Sequence, residues 1–312
     1  MSGRAGTDPD GTRDVRAGRR TVTVHRPDKV LFPDPGISKA DLAAYYRRIA
    51  MFVLPQVRDR PLMLERHPDG VGGPRFLQKD TPDGYPDWVR RKKVDKEGGT
   101  VRHVVCDDSA TLVFLADQAA LVLHRWLSRA DRLPWPDLLV FDLDPPRDDF
   151  AAVRDAARRL GELLDQLHLP SVLMTTGSKG LHVTVPLNGH ATFEESRGFA
   201  REVAETLAER HPQTLTTAVR KRSRGNRLYL DVQRNGYAQT GVAPWSPRAL
   251  PGAPVAVPIS WEQLEDPGVT ARTWSLGDVE GVLEQAKRNP WAGVLTRGRA
   301  LGPARKRLKT VN

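Results

Sequence analysis

Three aspartates stand where their spacing could do chemistry. Asp142 and Asp144 lie in LLVFDLD (138–144), and Asp231 lies in RLYLDVQ (227–233). Successive side chains of a strand alternate faces, so Asp142 and Asp144 share one face while Phe141 and Leu143 share the other. Two carboxylates about 7 Å apart along one strand repel each other, and a divalent cation between them would offset that. In the second segment Tyr229, Asp231 and Gln233 share a face. If the two strands are neighbours, three carboxylates meet at one spot. Two-metal phosphoryl transfer requires such a group: the ions activate an attacking 3′-hydroxyl, bridge a triphosphate and stabilise the departing pyrophosphate. Taken alone, D-x-D before Pro145 and Pro146 also fits a strand that simply ends in a turn. The position of Asp231 just after a basic loop favours the site.

Two further segments have the chemistry to hold phosphate. In TTGSKGLHV, Gly177 and Gly180 allow backbone N–H groups to point inward as an anion nest, and Thr176, Ser178, Lys179 and His182 add donors and charge. This is not a Walker loop, because G-x-x-x-x-G-K-[ST] is absent. In isolation the segment reads equally well as a polar hairpin with a solvated lysine. RKRSRGNR (220–227) places a cluster of cations, Arg224 among them, directly before the Asp231 strand. Alone it would read as solvated surface; beside an acidic group it suits a site that handles metal and polyphosphate together. His124 fits a buried core histidine on its own evidence. WVRRKKVDKE (88–97) reads as a solvated basic edge able to touch a nucleic-acid backbone.

These groups need elements to position them. LLVFDLD predicts a strand stopped by the two prolines. An amphipathic helix follows over 148–168, then strands at 171–176 and 181–187 around a tight turn at 177–180, a helix at 192–210 and a strand at 227–233. That order, β-α-β-β-α-β, is the split arrangement that usually sets the last strand antiparallel beside the first. The fold expected is therefore α+β, with this catalytic module (136–290) packed on an N-terminal α/β module (21–135). The N-terminal module opens with the strand TVTVH and a Pro/Gly-rich loop. A helix then begins at Ser38, with Asp41 at capping-box spacing and Leu42, Tyr45, Ile49 and Val53 on one face. A second helix is expected over 110–128, apolar nearly all round.

Composition narrows the class. The chain has 312 residues, is 39 % hydrophobic and carries a net charge of +10. Two of those charges come from residues 1–20 and six from 297–312, leaving about +2 between them. Both ends are read as solvated tails, the first disordered for want of any apolar period. No apolar run approaches the roughly 20 residues of a membrane span, and the N-terminus lacks the apolar stretch of a signal peptide. The single cysteine, Cys106, cannot form an internal disulfide. A reducing bacterial cytoplasm, close to the nucleoid, is the expected compartment.

VFDLDP, TTGSKGLH and YLDVQRNG, with HRPDKVLFP upstream and VAPWSPR downstream, closely resemble the polymerase domain of bacterial DNA ligase D, in the archaeo-eukaryotic primase superfamily. The resemblance runs in consistent order over about 21–290. It implies a metal-dependent primase-polymerase that adds nucleotides or ribonucleotides to DNA ends and gaps in non-homologous end joining. Asp142, Asp144 and Asp231 would be the metal ligands for two divalent cations, manganese ahead of magnesium. Thr176, Ser178, Lys179 and His182 would handle the incoming NTP or dNTP, with His124 near its sugar and Arg224 and Arg248 near its triphosphate. Lys29 and Lys39, with Arg26 where relatives often have Asn, would grip the 5′-phosphate beyond a gap. Phe76 would stack on the template.

There are departures. Leu77 replaces a second aromatic, and Glu65 stands where some relatives have Lys, which puts a nucleic-acid contact there in doubt. The implied partners are DNA ends with a 5′-phosphate, Ku and a DNA ligase, and the protein is expected to be a monomer. No K-x-D-G ligase nucleophile is present, so a stand-alone relative or an excised domain is expected. The competing readings are a stand-alone primase or damage-tolerant gap filler, an inert end-binding scaffold for Ku or a ligase, and a nuclease using the same carboxylates.

Overall fold

Among residues 11–311, which the computed structural model describes, LLVFDLD forms the strand Leu138–Asp144 at the heart of a six-stranded sheet. In that sheet the order is Leu215–Thr216, Leu228–Asp231, Leu138–Asp144, Leu181–Pro186, Val172–Thr175 and Val257–Ile259. Leu139, Phe141 and Leu143 are fully buried. The helices Phe150–Gln166 and Phe193–Arg210 both pack against the strand. Each helix is fixed at its start by a side chain. Asp149 accepts from the Ala152 amide, and Thr192 forms a capping box with Glu195, a device that satisfies otherwise orphaned N–H groups.

The N-terminal part has its own sheet, with Ala120–Trp126, Pro61–Arg66, Gly99–Val105 and Arg91–Lys96 side by side and Phe76–Gln78 also paired to Pro61–Arg66. The helix Lys39–Val57 begins with the Ser38–Asp41 capping box expected from spacing, and buries Leu42, Tyr45, Ile49 and Val53. It packs on the helix Ser109–Asp117.

Four expectations are corrected. The helix expected over 110–128 is the short helix Ser109–Asp117 followed by the strand Ala120–Trp126. Ala119, at φ +52°, turns the chain between them. A segment buried on every side has no period to tell helix from strand, so His124 lies on a strand.

Residues 12–20 are not a loose tail. Thr12–Ala17 pairs antiparallel with Arg20–His25 through a turn at Gly18, φ +60°; the expectation of disorder for residues 1–10 lies outside the described residues. Nor is 297–312 simply a tail. Leu301–Leu308 is a helix that buries Leu301, Ala304 and Leu308 and pairs Arg305 with Glu202 at 2.9 Å.

The division at 135/136 differs too. One compact unit gathers the chain up to Arg125 with Val242–Val255 and Trp274–Ala286. The other gathers Trp126–Gly241, Ala256–Thr273 and the chain from Lys287 onward. Linear sequence carries no sign that the chain returns to its first unit after completing most of its second.

Candidate active site

Asp142 and Asp231 are direct partners across the antiparallel strands Leu138–Asp144 and Leu228–Asp231. On its other side Asp142 is paired with His182 of Leu181–Pro186. The imidazole Nε2 of His182 and the guanidinium Nε of Arg234 each lie 3.5 Å from Asp142 Oδ2. Burial works to raise the Asp142 pKa, but the neighbouring His182 and Arg234 outweigh it and the net shift is downward. Asp231 shifts the other way. Burial, helped by the charge on Asp142, raises it even though the Gln233 amide donates to Oδ1 at 2.7 Å. Asp144, at the mouth of the strand, is half exposed and receives Arg224 Nη1 at 3.1 Å.

The fit to metal is one of donor chemistry. Hard carboxylate oxygens on adjacent strands, one of them shifted toward its neutral form, are the donor type that Mg²⁺ and Mn²⁺ favour. The side chains are turned to His182, Arg234 and Arg224 instead of to one another. Among the described residues no group of three His, Cys, Asp or Glu is gathered around a point that would hold an ion.

The turn after Val172–Thr175 is built by its own side chains. Thr176 Oγ1 donates to the Gly180 carbonyl at 3.0 Å, and the Ser178 and Gly180 amides point at the same hydroxyl at 3.3 and 3.2 Å. The buried Thr176 therefore holds the turn from inside. Ser178 is half-buried and Lys179 exposed. Gly177 takes φ +64°, where glycine is favoured. Gly180 matters for room: a Cβ there would press far inside van der Waals contact with the Leu143 carbonyl. Only a glycine lets this turn lie against the catalytic strand.

Sequence reasoning missed four residues in this unit. Arg234 touches Asp142. Asn235, buried, accepts from the Val140 amide at 2.8 Å and donates to the Val140 carbonyl at 2.7 Å, splinting the catalytic strand. Tyr229 gives Arg224 a ring to stack on, 3.7 Å from guanidinium carbon to centroid. Arg272 Nε donates to the Ser178 carbonyl at 2.7 Å. The first three lie in or beside YLDVQRNG, where only Asp231 drew notice because the others look like ordinary strand-end polar residues.

The remaining expected residues lie in the other unit. Arg26, exposed at φ +49°, Lys29 and Lys39 are close enough for the first two to help lower the Lys39 pKa, a shift caused mainly by burial and opposed by Asp117. Lys29 pairs with Asp69 at 2.7 Å. Lys39 is nearly enclosed, its Nζ 3.4 Å from the equally buried Asp117. Phe76 and Leu77 are each 56 % exposed. His124 faces Glu65, with Nε2 3.7 Å from Oε2. Arg248 is half-buried on the segment that re-enters this unit.

Residues 38–291 match the family described as LigD, primase-polymerase domain. The multifunctional non-homologous end joining DNA repair protein LigD of Mycobacterium tuberculosis (strain ATCC 25618 / H37Rv) is 33 % identical over 262 residues, which is 81 % of this chain and 34 % of that protein. The bifunctional non-homologous end joining protein LigD of Bacillus subtilis (strain 168) is 32 % identical over 263 residues, 84 % of this chain and 42 % of that protein. A solved structure, the polymerase domain from Mycobacterium tuberculosis ligase D in complex with DNA, superposes with a TM-score of 0.81 at 29 % identity, covering 89 % of this chain and 99 % of that one. The fold is thus mixed α/β of the ligase D polymerase kind. The chain belongs to the LigD primase-polymerase domain family, a family of DNA-directed nucleotidyltransferases. It spans about a third to two-fifths of the length of these curated relatives. No described helix is long and apolar enough to cross a membrane.

Proposed function

We propose that this chain is a metal-dependent primase-polymerase that adds nucleotides to DNA ends and gaps during non-homologous end joining. The observation that carries the reading is the direct pairing of Asp142 with Asp231, two buried carboxylates side by side on adjacent strands. Such a pair is costly unless a cation shares it. We read the strand order, with Leu228–Asp231 beside Leu138–Asp144 and Leu181–Pro186 on its other side, as the split β-α-β-β-α-β arrangement.

Asp142, Asp231 and Asp144 would hold two divalent ions, which when bound supply charge neutralisation and a more acidic 3′-hydroxyl. Arg224 is held rigid by the Tyr229 ring and by the carbonyls of Ala218 and Val219, to which its Nε and Nη2 donate at 3.1 and 2.9 Å. It keeps a guanidinium directed at the acidic group, where a triphosphate would need it. The exposed Lys179 offers a further cation on the turn braced by Thr176, and Ser178 and His182 complete the donors for an incoming nucleotide. His124 would meet the sugar and Arg248 the phosphates. Arg26, Lys29 and Lys39 would receive a 5′-phosphate, and Phe76, exposed as a stacking side chain must be, the template base.

Ribonucleotides would be preferred because a polar group near the sugar loses its partner when the 2′-hydroxyl is missing. That costs about 1–3 kcal/mol, or roughly 5- to 150-fold. Ku and a ligase are the partners that end joining would supply. The direct test is primer extension on labelled DNA ends with manganese, magnesium or chelator, offering GTP against dGTP opposite template C. Templated extension that needs metal supports the reading. Binding without extension would make the chain an end-binding scaffold, and shortening of the primer would make it a nuclease.

A further inference from the structure

Glu65 is a carboxylate the proposed chemistry does not use. The side chains of Glu65, His67 and His124 are 13 %, 6 % and 13 % exposed. Met63 pairs with His124, and Glu65 pairs with Val122, across the antiparallel strands Pro61–Arg66 and Ala120–Trp126. Glu65 and His124 are therefore diagonal neighbours on one face of the sheet. Oε1 of Glu65 lies 3.0 Å from His67 Nε2, and Oε2 lies 3.7 Å from His124 Nε2. Arg75 Nη1 stands 3.9 Å away. The two imidazoles, His124 foremost, outweigh burial and hold the Glu65 carboxyl down to about 2. It is ionised at neutral pH and can only accept hydrogen bonds.

We propose that Glu65, braced by His67, is a positioning residue that fixes the His124 imidazole with its Nε2–H toward the carboxylate, and so sets how strongly His124 discriminates the sugar of an incoming nucleotide. An ionised acceptor facing Nε2 selects the tautomer with the proton there, and leaves Nδ1 as the acceptor for a hydroxyl. The 2′-hydroxyl of a ribonucleotide can donate to such a nitrogen, and a deoxynucleotide cannot. His67 clamps the other carboxylate oxygen, so the acceptor cannot swing away. This inference rests on the reading of His124 as a neighbour of the sugar.

The experiment pairs a tautomer measurement with a selectivity measurement. Imidazole ¹⁵N spectra of the full chain, with His124 assigned by its loss in His124→Ala, should show Nε2 protonated in the wild type. Glu65→Gln, whose amide can donate or accept, should mix the tautomers and lower the GTP-over-dGTP ratio by about three- to tenfold, the worth of one hydrogen bond. DNA affinity should stay unchanged. Glu65→Asp keeps the ionised acceptor and should restore part of both signals, which separates lost charge from lost folding. An unchanged His124 tautomer in Glu65→Gln overturns the proposal. So does a changed tautomer with an unchanged ratio, when His124→Ala does alter the ratio. If His124→Ala leaves the ratio untouched, the placement of His124 at the sugar fails first, whatever its tautomer, and the proposal falls with it.

Discussion

Asp142 and Asp231 face each other across two antiparallel strands and are driven in opposite directions, Asp142 toward the charged form by His182 and Arg234, Asp231 toward the neutral form by burial and by Asp142 itself. One member of the pair already has counter-charges and the other lacks them. An added cation would therefore act most strongly on Asp231. Asp142→Asn and Asp231→Asn should each lower the rate of nucleotide addition by about 10²-fold or more, since the loss of a few kcal/mol of charge stabilisation has that effect. DNA binding should be largely retained. Single-turnover extension checks this, and wild-type rates in either variant would remove the two-metal reading.

Gly180 gives a test of geometry alone. Gly180→Ala puts a methyl group into the Leu143 carbonyl, so the turn must move off the catalytic strand. Overpacking of this kind costs about 1–3 kcal/mol, and extension should fall by more than DNA binding does. Chemical denaturation alongside extension assays measures both. Gly225, on the basic loop with nothing within reach of an added Cβ but at φ +59°, is a control in which only backbone strain is introduced.

The lysines expected to share one task should separate. Lys39 is enclosed against the buried Asp117, so Lys39→Ala leaves a buried charge with less compensation and should destabilise the fold by about 3 kcal/mol or more. Lys29 is more open and pairs with the exposed Asp69, a contact worth little in water. Lys29→Ala should leave stability nearly unchanged. It should cut the preference for gapped DNA bearing a 5′-phosphate over the hydroxyl form by about tenfold, as expected of a charge-assisted contact. Equal affinity for the two DNAs in the wild type would remove the phosphate pocket.

Acid should find Glu65. Its folded pKa of about 2 lies below the ordinary value of 4.5, so its contribution is fully present above about pH 4.5 and is lost as pH falls toward 2. The shift corresponds to a stabilisation on the order of 3 kcal/mol. Wild-type stability should therefore drop more steeply across that window than that of Glu65→Gln. Parallel acid limbs in the two proteins would contradict the Glu65–His124 pairing.

The C-terminal helix gives the last test. Leu301 and Leu308 are buried, so Leu301→Ala or Leu308→Ala should each cost about 2–3 kcal/mol in urea denaturation. A solvated tail would show no loss at either position.

The sequence by itself determined the chemistry and its local carriers. Alternation in LLVFDLD put Asp142 and Asp144 on one face, the capping residues Ser38 and Thr192 placed their helix starts, and the glycines of TTGSKG marked the turn. These are local effects, each decided within a few residues. The periodic signal failed where burial is complete. In 109–126 every face is apolar, so the helix-to-strand change at Ala119 left no mark, and His124 was assigned to the wrong element. It failed again at the ends, where Arg-rich stretches look solvated although Val22 and Val24 of one and Leu301, Ala304 and Leu308 of the other are buried.

Only tertiary structure could decide pairings between distant segments. It paired Asp142 with Asp231, turned Arg234 toward Asp142, spliced Asn235 onto Val140, enclosed Lys39 with Asp117 and set Glu65 between two histidines. The energy of such contacts depends on burial and on groups far along the chain, which one-dimensional spacing does not contain.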